Sequence, residues 1–394
     1  MKILYLVHRL PYPPNKGDKV RSYHLLKHLA ARHEVHLGSF IDDPEDEQHV
    51  PRVRELCADL HVARLSPRRA KLWSLRGLLT GEALSLPYYR DAGLQAWVNA
   101  ALAREYFDAV VVFSGVMAQY VRGQPMWVDF VDVDSAKWRD YAPDHVWPLS
   151  WLYRREFTRL LAYEQAVASE ARCSFFVTEH EVALFRQLSP AHALRLAALG
   201  NGVDADFFAP DPQRPTPFRA DEIPLVFTGA MDYWPNVDAV SWFVSEMLPA
   251  LRQRFPALRF HIVGRSPTPA VLALASEAVH VTGTVPDVRP YLQHAAAVVA
   301  PLRLARGLQN KVLEAMAMAR PVVAAPACVQ AITPTPQAGL QPADVVRDYV
   351  ARLTNLLAAP QSADLAGQAA REFVQREFSW TAHLARFDTH LENA

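Results

Sequence analysis

The stretch AAVVAPLRLARGLQNKVLEAMAMARPVVAA, residues 296–325, decides the fold of this chain of 394 residues. Its two ends, 296–302 and 321–325, are apolar throughout, as strands are when both faces of a sheet are covered. The part between them is rich in small residues and predicts a helix that begins near Gln309. A strand, a helix and a second strand in this order form the repeating unit of a parallel sheet.

The same alternation runs along the whole sequence in two series. Short apolar runs separated by amphipathic stretches lie at 3–8, 35–40, 109–113, 126–131 and 174–178, and again at 224–229, 259–264, 279–283, 296–302 and 321–325. The stretch 200–224 between the two series is rich in proline, which fixes φ and removes hydrogen-bond donors, so we predict a linker there. The chain therefore reads as two doubly wound α/β units in tandem, and its length also exceeds what one core usually serves.

The composition excludes several kinds of partner and location. Lys plus Arg (41) equals Asp plus Glu (41), so no net positive charge draws the chain to a nucleic acid. Three scattered cysteines without a CxxC pair indicate a reducing compartment and no thiolate metal site. The N-terminus reads as a first strand, and no apolar run is long enough to span a bilayer. We therefore expect a cytoplasmic protein.

The first turn of each unit lacks the fingerprint of dinucleotide binding. GxGxxG needs glycines for a tight turn and for close approach of a pyrophosphate, whereas these turns read RLPYPPNKGDKVRS (9–22) and GAMDYWPN (229–236). Nicotinamide and flavin chemistry are therefore disfavoured. Ligands of an open α/β sheet still lie beyond the carboxyl ends of its strands, where helix N-termini point, so the residues after each predicted strand are candidate site residues.

Lys311 and Glu314 lie in the first turns of the helix predicted within 296–325. The helix dipole disfavours a cation at this end unless an anion is bound there, so Lys311 suits a diphosphate. Glu314 is three residues on, hence on the same face, and a carboxylate can accept two hydrogen bonds from a cis-diol such as a ribose. The alternative is a surface Lys–Glu pair without a ligand.

Further motifs follow one another in a fixed order: NGVDADFFAP (201–210), FTGAMDYWPN (227–236), FHIVGRS (260–266), VTGTVPDVRPYL (281–292), LEAMAMARPVVAA (313–325) and FSWTAHLARF (378–387). With these motifs the chain resembles the retaining glycosyltransferases of the family 4 type. That family has the GT-B architecture, in which two Rossmann-like, doubly wound parallel-sheet domains face a central crevice. GDKVRS (17–22), DFVDVDS (129–135) and the stretch 305–323 are most similar to sugar transferases of exopolysaccharide and exosortase (PEP-CTERM) gene clusters.

The resemblance implies a hexosyltransferase-like enzyme that moves a sugar, with retention, from a UDP- or GDP-linked donor to a polyprenyl-diphosphate-linked glycan in exopolysaccharide synthesis. Neither a metal nor another cofactor would be needed. The implied domains are an acceptor-binding domain over 1–200, a nucleotide-sugar-binding domain over 201–375, and a last helix over 376–394 that crosses back onto the first domain. We predict as catalytic residues Asp132, Asp134, Arg306 and Lys311. We predict as donor-binding residues Gly17, Arg21, Gly229, Asp232, Arg265, Val285, Arg303, Gly307, Asn310 and Glu314.

The sequence departs from the family pattern at two points of the donor site. Where relatives carry a second Glu eight residues before Glu314, this chain has Arg306. The usual Arg and Lys after the first strand of the second domain are also missing, and Ala230 and the region of Asn236 take their places. Our hypothesis is that the positive charge for the leaving diphosphate has moved to Arg303, Arg306 and Lys311, because fixed cations stabilise the charge that develops there.

Asp132 and Asp134 form a D-x-D, which in the other glycosyltransferase architecture, GT-A, binds manganese. Alternating residues of an extended segment point the same way, so two carboxylates could share a cation. A GT-A enzyme would not need the second series of strands, so we favour a role for one Asp in orienting sugar hydroxyls. We expect Asp129 and Lys137 to be solvated.

Two stretches combine basic and aromatic residues: 64–90, with a local charge of +5, and 147–163. This combination is typical of an interfacial helix on anionic lipid, and it fits a peripheral enzyme on the inner face of the plasma membrane with a lipid-linked acceptor. The alternative is a solvated helix that covers the sheet.

Two other functions share this fold: a hydrolysing nucleotide-sugar epimerase and a noncatalytic nucleotide-sugar binder. The epimerase would need paired acid and base side chains near the sugar, which the sequence does not indicate, whereas Arg306 in place of the family Glu is compatible with a binder. The histidines are scattered singly, and His8, just after the first predicted strand, is the one that we would test.

Overall fold

A computed structural model describes residues 1–14, 17–104, 106–190, 195–304, 308–332 and 339–392. The chain divides into two compact units. The first comprises Met1–Gly200 together with Leu384–Ala394, and the second comprises Asn201–His383.

The first unit is built on a parallel sheet of seven strands in the order β3-β2-β1-β4-β5-β6-β7. The strands are β1 (Lys2–Val7), β2 (Glu34–Ile41), β3 (Asp59–Arg64), β4 (Ala109–Phe113), β5 (Met126–Val131), β6 (Ala171–Phe176) and β7 (Leu196–Ala198). The helices are α1 (Gly17–Ala30), α2 (Val50–Arg54), α3 (Pro67–Ser74), α4 (Arg76–Thr80), α5 (Ser85–Tyr88), α6 (Ala92–Arg104), α7 (Asp134–Tyr141), α8 (Leu149–Glu170) and α9 (Glu179–Leu188). Residues 109–113 of β4 are buried on both faces, as parallel strands covered by helices must be.

The second unit is built on a parallel sheet of six strands in the order β10-β9-β8-β11-β12-β13. The strands are β8 (Ile223–Thr228), β9 (Leu258–Val263), β10 (Val279–Gly283), β11 (Ala297–Ala300), β12 (Val322–Ala324) and β13 (Leu340–Pro342). The helices are α10 (Trp234–Trp242), α11 (Leu248–Arg254), α12 (Pro269–Leu272), α13 (Arg289–His294), α14 (Asn310–Ala317), α15 (Pro326–Ile332), α16 (Val346–Ala358), α17 (Pro360–Glu377) and α18 (Trp380–Glu392).

In both sheets the strand order reverses beside the first strand of the unit, which has the next strand along the chain on one side and a later strand on the other. Helices join these parallel strands, so each unit is a doubly wound α/β fold. The predicted fold class is confirmed. The opening stretch 296–325 contains β11, α14 and β12, in the order that its pattern predicts.

The last helix, α18, begins at Trp380, and its residues from Leu384 onward belong to the first unit. There the carboxylate of Asp388 contacts His28 Nε2 at 2.8 Å and Arg32 Nη1 at 2.9 Å. The indole Nε1 of Trp127 donates to the carbonyl of His390 at 3.1 Å. These contacts fasten the C-terminal end of the chain to α1 and β5.

Candidate active site

Lys311 lies in the first turn of α14, over the carboxyl end of β8. Its Nζ donates to Asn236 Oδ1 at 2.6 Å and lies 4.3 Å from the ring centroid of Phe227. A side chain at Gly229 would collide with this arrangement, because a Cβ there would lie 2.9 Å from Lys311 Nζ and 2.8 Å from Asn236 Nδ2. The absence of a side chain at Gly229 therefore leaves room for the ammonium group at the end of the strand.

Gly264, which follows β9, lets two strand ends approach each other at this site. A Cβ on Gly264 would lie 1.6 Å from the carbonyl oxygen of Gly229, so no other residue fits without a shift of the backbone. Asn236 is itself buried, and its Nδ2 donates to the carbonyl of Ala230 at 2.8 Å. The amide is thus fixed in the orientation that presents its oxygen to Lys311.

Burial shifts the pKa values of Lys311 and Glu314, the two titratable groups on α14. It lowers the pKa of Lys311 to about 8, against the opposing effects of Cys328 and Glu314. It raises the pKa of Glu314 to about 7, against the opposing effect of Lys311. In the described part of the chain no ion pair joins the two side chains, so the surface-pair alternative is wrong. The site therefore holds a desolvated cation and a desolvated carboxyl group close to each other on one helix.

The other cations assigned to the donor site are already paired. The guanidinium of Arg303 contacts both carboxylate oxygens of Asp238 and lies 5.1 Å from the ring centroid of Trp242. The guanidinium of Arg265 lies 3.7 Å from a carboxylate oxygen of Asp232, and both side chains are about half exposed. Asp238 therefore offsets part of the charge that the hypothesis assigns to Arg303, whose side chain is half exposed, and its role at the diphosphate stays a prediction. Arg306 and Gly307, the remaining assigned residues of this loop, lie outside the described residues.

Asn310 and Val285 are two further residues that the sequence analysis assigns to the donor site. Asn310, the first residue of α14, accepts a hydrogen bond from Asn201 Nδ2 at 3.4 Å through its Oδ1. Val285 is partly buried and packs against the core of the second unit. Asn310 therefore lies beside Lys311 at the start of the helix, whereas Val285 can offer a ligand only apolar contact or its backbone.

In the first unit, Arg21 is a structural residue. Its guanidinium donates to both carboxylate oxygens of Asp129, at 2.7 and 3.1 Å, and the two residues are 2 % and 1 % exposed. The predictions that Arg21 contacts the donor and that Asp129 is solvated are both wrong, because the pair is bidentate and buried between α1 and β5. At Gly17, by contrast, a Cβ would meet no atom within 4 Å, so packing alone does not require glycine there.

Both carboxylates of the D-x-D at residues 132–134 form an ion pair with the side chain of Lys137. Lys137 Nζ lies 2.9 Å from a carboxylate oxygen of Asp132 and 2.8 Å from one of Asp134. Although burial acts in the opposite direction, Asp134 and Asp132 raise the pKa of Lys137 above its ordinary value. The expectation that Lys137 is merely solvated is therefore wrong. Within the described ranges, no group of three or more His, Cys, Asp or Glu side chains has the geometry of a metal site.

Two buried glutamates beside this loop escaped the sequence analysis. Glu164 accepts hydrogen bonds from the backbone N–H and the hydroxyl of Ser135, and Glu181 accepts one from the backbone N–H of Val133 at 2.8 Å. Burial, together with the charge of Asp134, raises the pKa of Glu164 to about 8. Burial also raises the pKa of Glu181. Both residues hold the N-terminal end of α7, and only their spacing on amphipathic helices could have marked them.

His8 belongs to a polar cluster at the carboxyl end of β1. Its Nε2 lies 3.3 Å from a carboxylate oxygen of Asp18, and Arg9 bridges Asp18 and Asp42 at 2.7 and 2.8 Å. The imidazole stacks on the ring of Phe113, with centroids 5.9 Å apart. Despite the cost of burial, hydrogen bonding and charge from His8 and charge from Arg9 keep the pKa of Asp18 well below its usual range.

The basic and aromatic stretches 64–90 and 147–163 do not form one long interfacial helix. The first contains α3, α4 and α5, and the second coincides with the N-terminal two thirds of α8. No helix in the described part of the chain is long and apolar enough to cross a membrane.

Comparison with known proteins supports one reading of this geometry. Residues 222–359 match the family model described as "Glycosyl transferases group 1". No curated protein matches the sequence.

Solved structures resemble the whole chain in fold. Sucrose-phosphate synthase from Thermosynechococcus elongatus superposes with a TM-score of 0.72 at 19% identity, covering 100% of this chain and 98% of its own. HepE of Anabaena, in complex with UDP-glucose, superposes with a TM-score of 0.67 at 16% identity, covering 100% of each chain. WaaG, a glycosyltransferase involved in lipopolysaccharide biosynthesis, gives 0.66 at 16% identity, covering 98% of this chain and 99% of its own. The architecture is that of GT-B proteins. The chain is a glycosyltransferase that carries a group 1 domain over residues 222–359.

Proposed function

We propose that this glycosyltransferase is a retaining enzyme of the family 4 type that moves a hexose from a nucleotide-sugar to a lipid-linked glycan during exopolysaccharide synthesis. The observation that carries the proposal is the pair formed by Lys311 and Glu314 on α14. Burial leaves the lysine with a pKa of about 8 and the glutamate with one of about 7, and no mutual ion pair satisfies them. A diphosphate supplies an anion for Lys311, and the hydroxyls of a ribose supply hydrogen-bond donors for Glu314.

The donor is a nucleoside diphosphate sugar, linked to UDP or GDP. The structure of the Anabaena protein HepE contains UDP-glucose, and its fold covers the whole of this chain, which supports a donor of this class here. In our proposal the N-terminus of α14 and the ammonium of Lys311 receive the diphosphate, while Glu314 accepts hydrogen bonds from the ribose. Asn236 keeps the ammonium over the end of β8 through its hydrogen bond of 2.6 Å.

The reaction depends on electrostatic stabilisation of the leaving group. As the bond between the anomeric carbon and the diphosphate oxygen breaks, negative charge builds on the phosphate, and a fixed cation stabilises it without solvent reorganisation. The acceptor hydroxyl attacks from the face that the diphosphate leaves, and a phosphate oxygen takes its proton, which gives retention. Because Lys137 already occupies the two carboxylates of the D-x-D, we expect turnover to persist in the presence of a chelator.

The acceptor is a glycan on a polyprenyl diphosphate, at the inner face of the plasma membrane. WaaG, which has the same fold over 98% of this chain, acts in lipopolysaccharide biosynthesis and therefore supports an acceptor of this kind. Asp132 and Asp134 lie at the carboxyl end of β5, where acceptor hydroxyls would be oriented in our proposal. We propose that the stretches 64–90 and 147–163 bring the enzyme to anionic lipid.

Thermal unfolding with a panel of UDP-, GDP- and dTDP-sugars tests the donor assignment. A ligand present at about 100 times its Kd adds about 2.7 kcal/mol to the free energy of unfolding. The stabilisation should vanish in Glu314→Gln and persist in Glu372→Gln, a matched substitution on the exposed side of α17. Stabilisation of Glu314→Gln equal to that of the wild type would refute the ribose contact.

Product analysis with the donor so identified separates transfer from the two other functions of this fold. Transfer to a polyprenyl-linked glycan with retained anomeric configuration supports the proposal. Release of an epimerised sugar, or binding without turnover, would overturn it in favour of an epimerase or a noncatalytic binder.

A further inference from the structure

About half of the large hydrophobic side chains that are exposed in the described residues lie in two short segments of the first unit. We name these two segments together the apolar surface. Leu79 is 92 % exposed and Trp147 is 78 % exposed, so neither packs on the protein's own core. An apolar patch of this kind marks a contact with another molecule or with a membrane. Its members are Leu72, Trp73, Leu75, Leu78 and Leu79 along α3, α4 and the residue between them, and Tyr141, Val146, Trp147, Leu149 and Trp151 from the end of α7 to the start of α8.

The two segments are fastened to each other. Arg155, one turn beyond Trp151, donates from its guanidinium to the carbonyl oxygens of Gly77 at 2.5 Å and Glu82 at 3.1 Å. Glu156, which is buried, accepts hydrogen bonds from the backbone N–H groups of Leu84 at 2.7 Å and of Ser85 at 2.9 Å. The helix α8 is therefore hydrogen-bonded to the backbone of α4 and of the turn that follows it, which ties the two segments of the apolar surface together.

Cations accompany the apolar surface without carboxylate partners. Arg68, Arg69, Lys71 and Arg76 are exposed, and none of them forms an ion pair with a carboxylate of the described residues. The guanidinium of Arg76 lies 5.0 Å from the ring centroid of Trp73. Elsewhere in the same stretch, Arg64 pairs with Glu47 at 2.9 Å and Arg90 with Glu82 at 3.1 Å. Unpaired positive charge is thus confined to the part of the stretch that also exposes its leucines and tryptophan.

The combination of exposed apolar side chains and unpaired cations distinguishes between a second copy of the chain and a bilayer as the molecule that covers this surface. In a two-fold dimer each patch meets the same patch of the other copy, so the four cations would face four cations at a cost. A bilayer that contains anionic lipid offers both an apolar layer and negative headgroups at its edge, and Trp and Arg side chains are suited to that boundary.

We infer that the apolar surface inserts into the headgroup and upper acyl region of an anionic bilayer, with Leu79 and Trp147 buried in lipid and the four cations among the headgroups. The inference rests on the proposed function, since a lipid-linked acceptor requires the enzyme to reach a membrane. It replaces the interfacial helix expected from the sequence with two insertion points held together by Arg155. Each buried side chain should raise vesicle affinity roughly tenfold or more, and each cation about fivefold.

Vesicle sedimentation tests the inference, with phosphatidylcholine alone and with an equal mixture of phosphatidylcholine and phosphatidylglycerol. We expect the wild type to sediment with the mixed vesicles, and Leu79→Ser and Trp147→Ser each to lose roughly tenfold in affinity. Replacement of all four cations by Gln should abolish the preference for the anionic vesicles. Tyr106→Ser and Leu365→Ser, whose side chains are 82 % and 67 % exposed outside the apolar surface, are the matched controls and should bind as the wild type does.

Three results would overturn the inference: no binding of the wild type to mixed vesicles, equal losses in the control variants, or a halved mass of Leu79→Ser in light scattering, which would make a second copy the occupant. Thermal unfolding of each variant shows that it is folded. Vesicle binding needs no donor, so a protein that binds vesicles but transfers no sugar would refute the proposed function and leave the docking surface in place.

Discussion

Lys311→Met should make the protein more stable and less active. The ammonium is held in a site where burial lowers its pKa from 10.5 to about 8, a difference that corresponds to about 3 kcal/mol of free energy spent on keeping it charged. Methionine has a similar length and no charge. Its cost is the loss of the hydrogen bond to Asn236, which leaves a buried amide oxygen unsatisfied for about 1 to 2 kcal/mol. The net expectation is a stabilisation of about 1 to 2 kcal/mol near pH 7.

The dependence on pH has a defined sign. The folded protein releases the proton of Lys311 near pH 8, whereas the unfolded chain keeps it until about pH 10.5. Between these values the unfolded state binds more protons, so the stability contributed by this site rises with pH and the penalty fades. The advantage of Lys311→Met over the wild type should therefore be largest below about pH 8 and should have disappeared at about pH 10.5.

Chemical denaturation of both proteins at about pH 7 and about pH 10 measures this difference. Transfer rates at saturating donor should fall roughly a hundredfold in the variant, because one preorganised positive group is lost at the leaving diphosphate. Asn236→Ala should also weaken donor binding, although it leaves the charge of Lys311 in place. A variant Lys311→Met that is less stable than the wild type at neutral pH, or that keeps full turnover, would show that the lysine is a structural residue.

Three further substitutions test the remaining assignments. Asp129→Asn strands the buried guanidinium of Arg21, so thermal unfolding should reveal a loss of about 3 to 5 kcal/mol, while the donor KM stays that of the wild type. Lys137→Met empties the D-x-D of its cation, so manganese should raise the Tm of this variant and leave that of the wild type unchanged; the same shift in both would contradict the arrangement. Glu164 has a pKa of about 8, so its contribution to stability falls as the pH rises from about 4.5 to about 8. Glu164→Gln should therefore unfold at a higher temperature than the wild type at about pH 9 and at nearly the same temperature at about pH 4.

The central strands could be predicted from the sequence because burial on both faces leaves an unbroken apolar run. The predicted runs 109–113 and 126–131 coincide with β4 and β5. The two edge strands of the first sheet, β3 and β7, carry no such signal. Only two of the six residues of β3 are buried, and all three residues of β7 are only partly buried. Sheet edges are half solvated, and their sequences resemble loops.

Lys311 and Glu314 could be found because local rules place them. A strand, a short loop and a helix fix which end of the helix meets a ligand, and a spacing of three fixes a shared face. Asn236, which holds the lysine, lies 75 residues earlier in the chain, and nothing in its neighbourhood marks it. Its position in the first turn of α10, beyond the end of β8, is visible only once the fold is known.

The wrong assignment of Arg21 shows what a sequence does not tell about a basic residue. Arg21 and Lys311 both lie in the first turns of helices that follow strands, so their local patterns are the same. Arg21 has its carboxylate 108 residues away on β5 and is neutralised by it in the interior of the unit. The described neighbours of the Lys311 ammonium are an amide oxygen and the ring of Phe227, both neutral, and burial lowers its pKa. What separates a scaffold cation from one that can bind a phosphate is thus the partner brought by tertiary structure, and a neutral partner is the arrangement that leaves charge for a ligand.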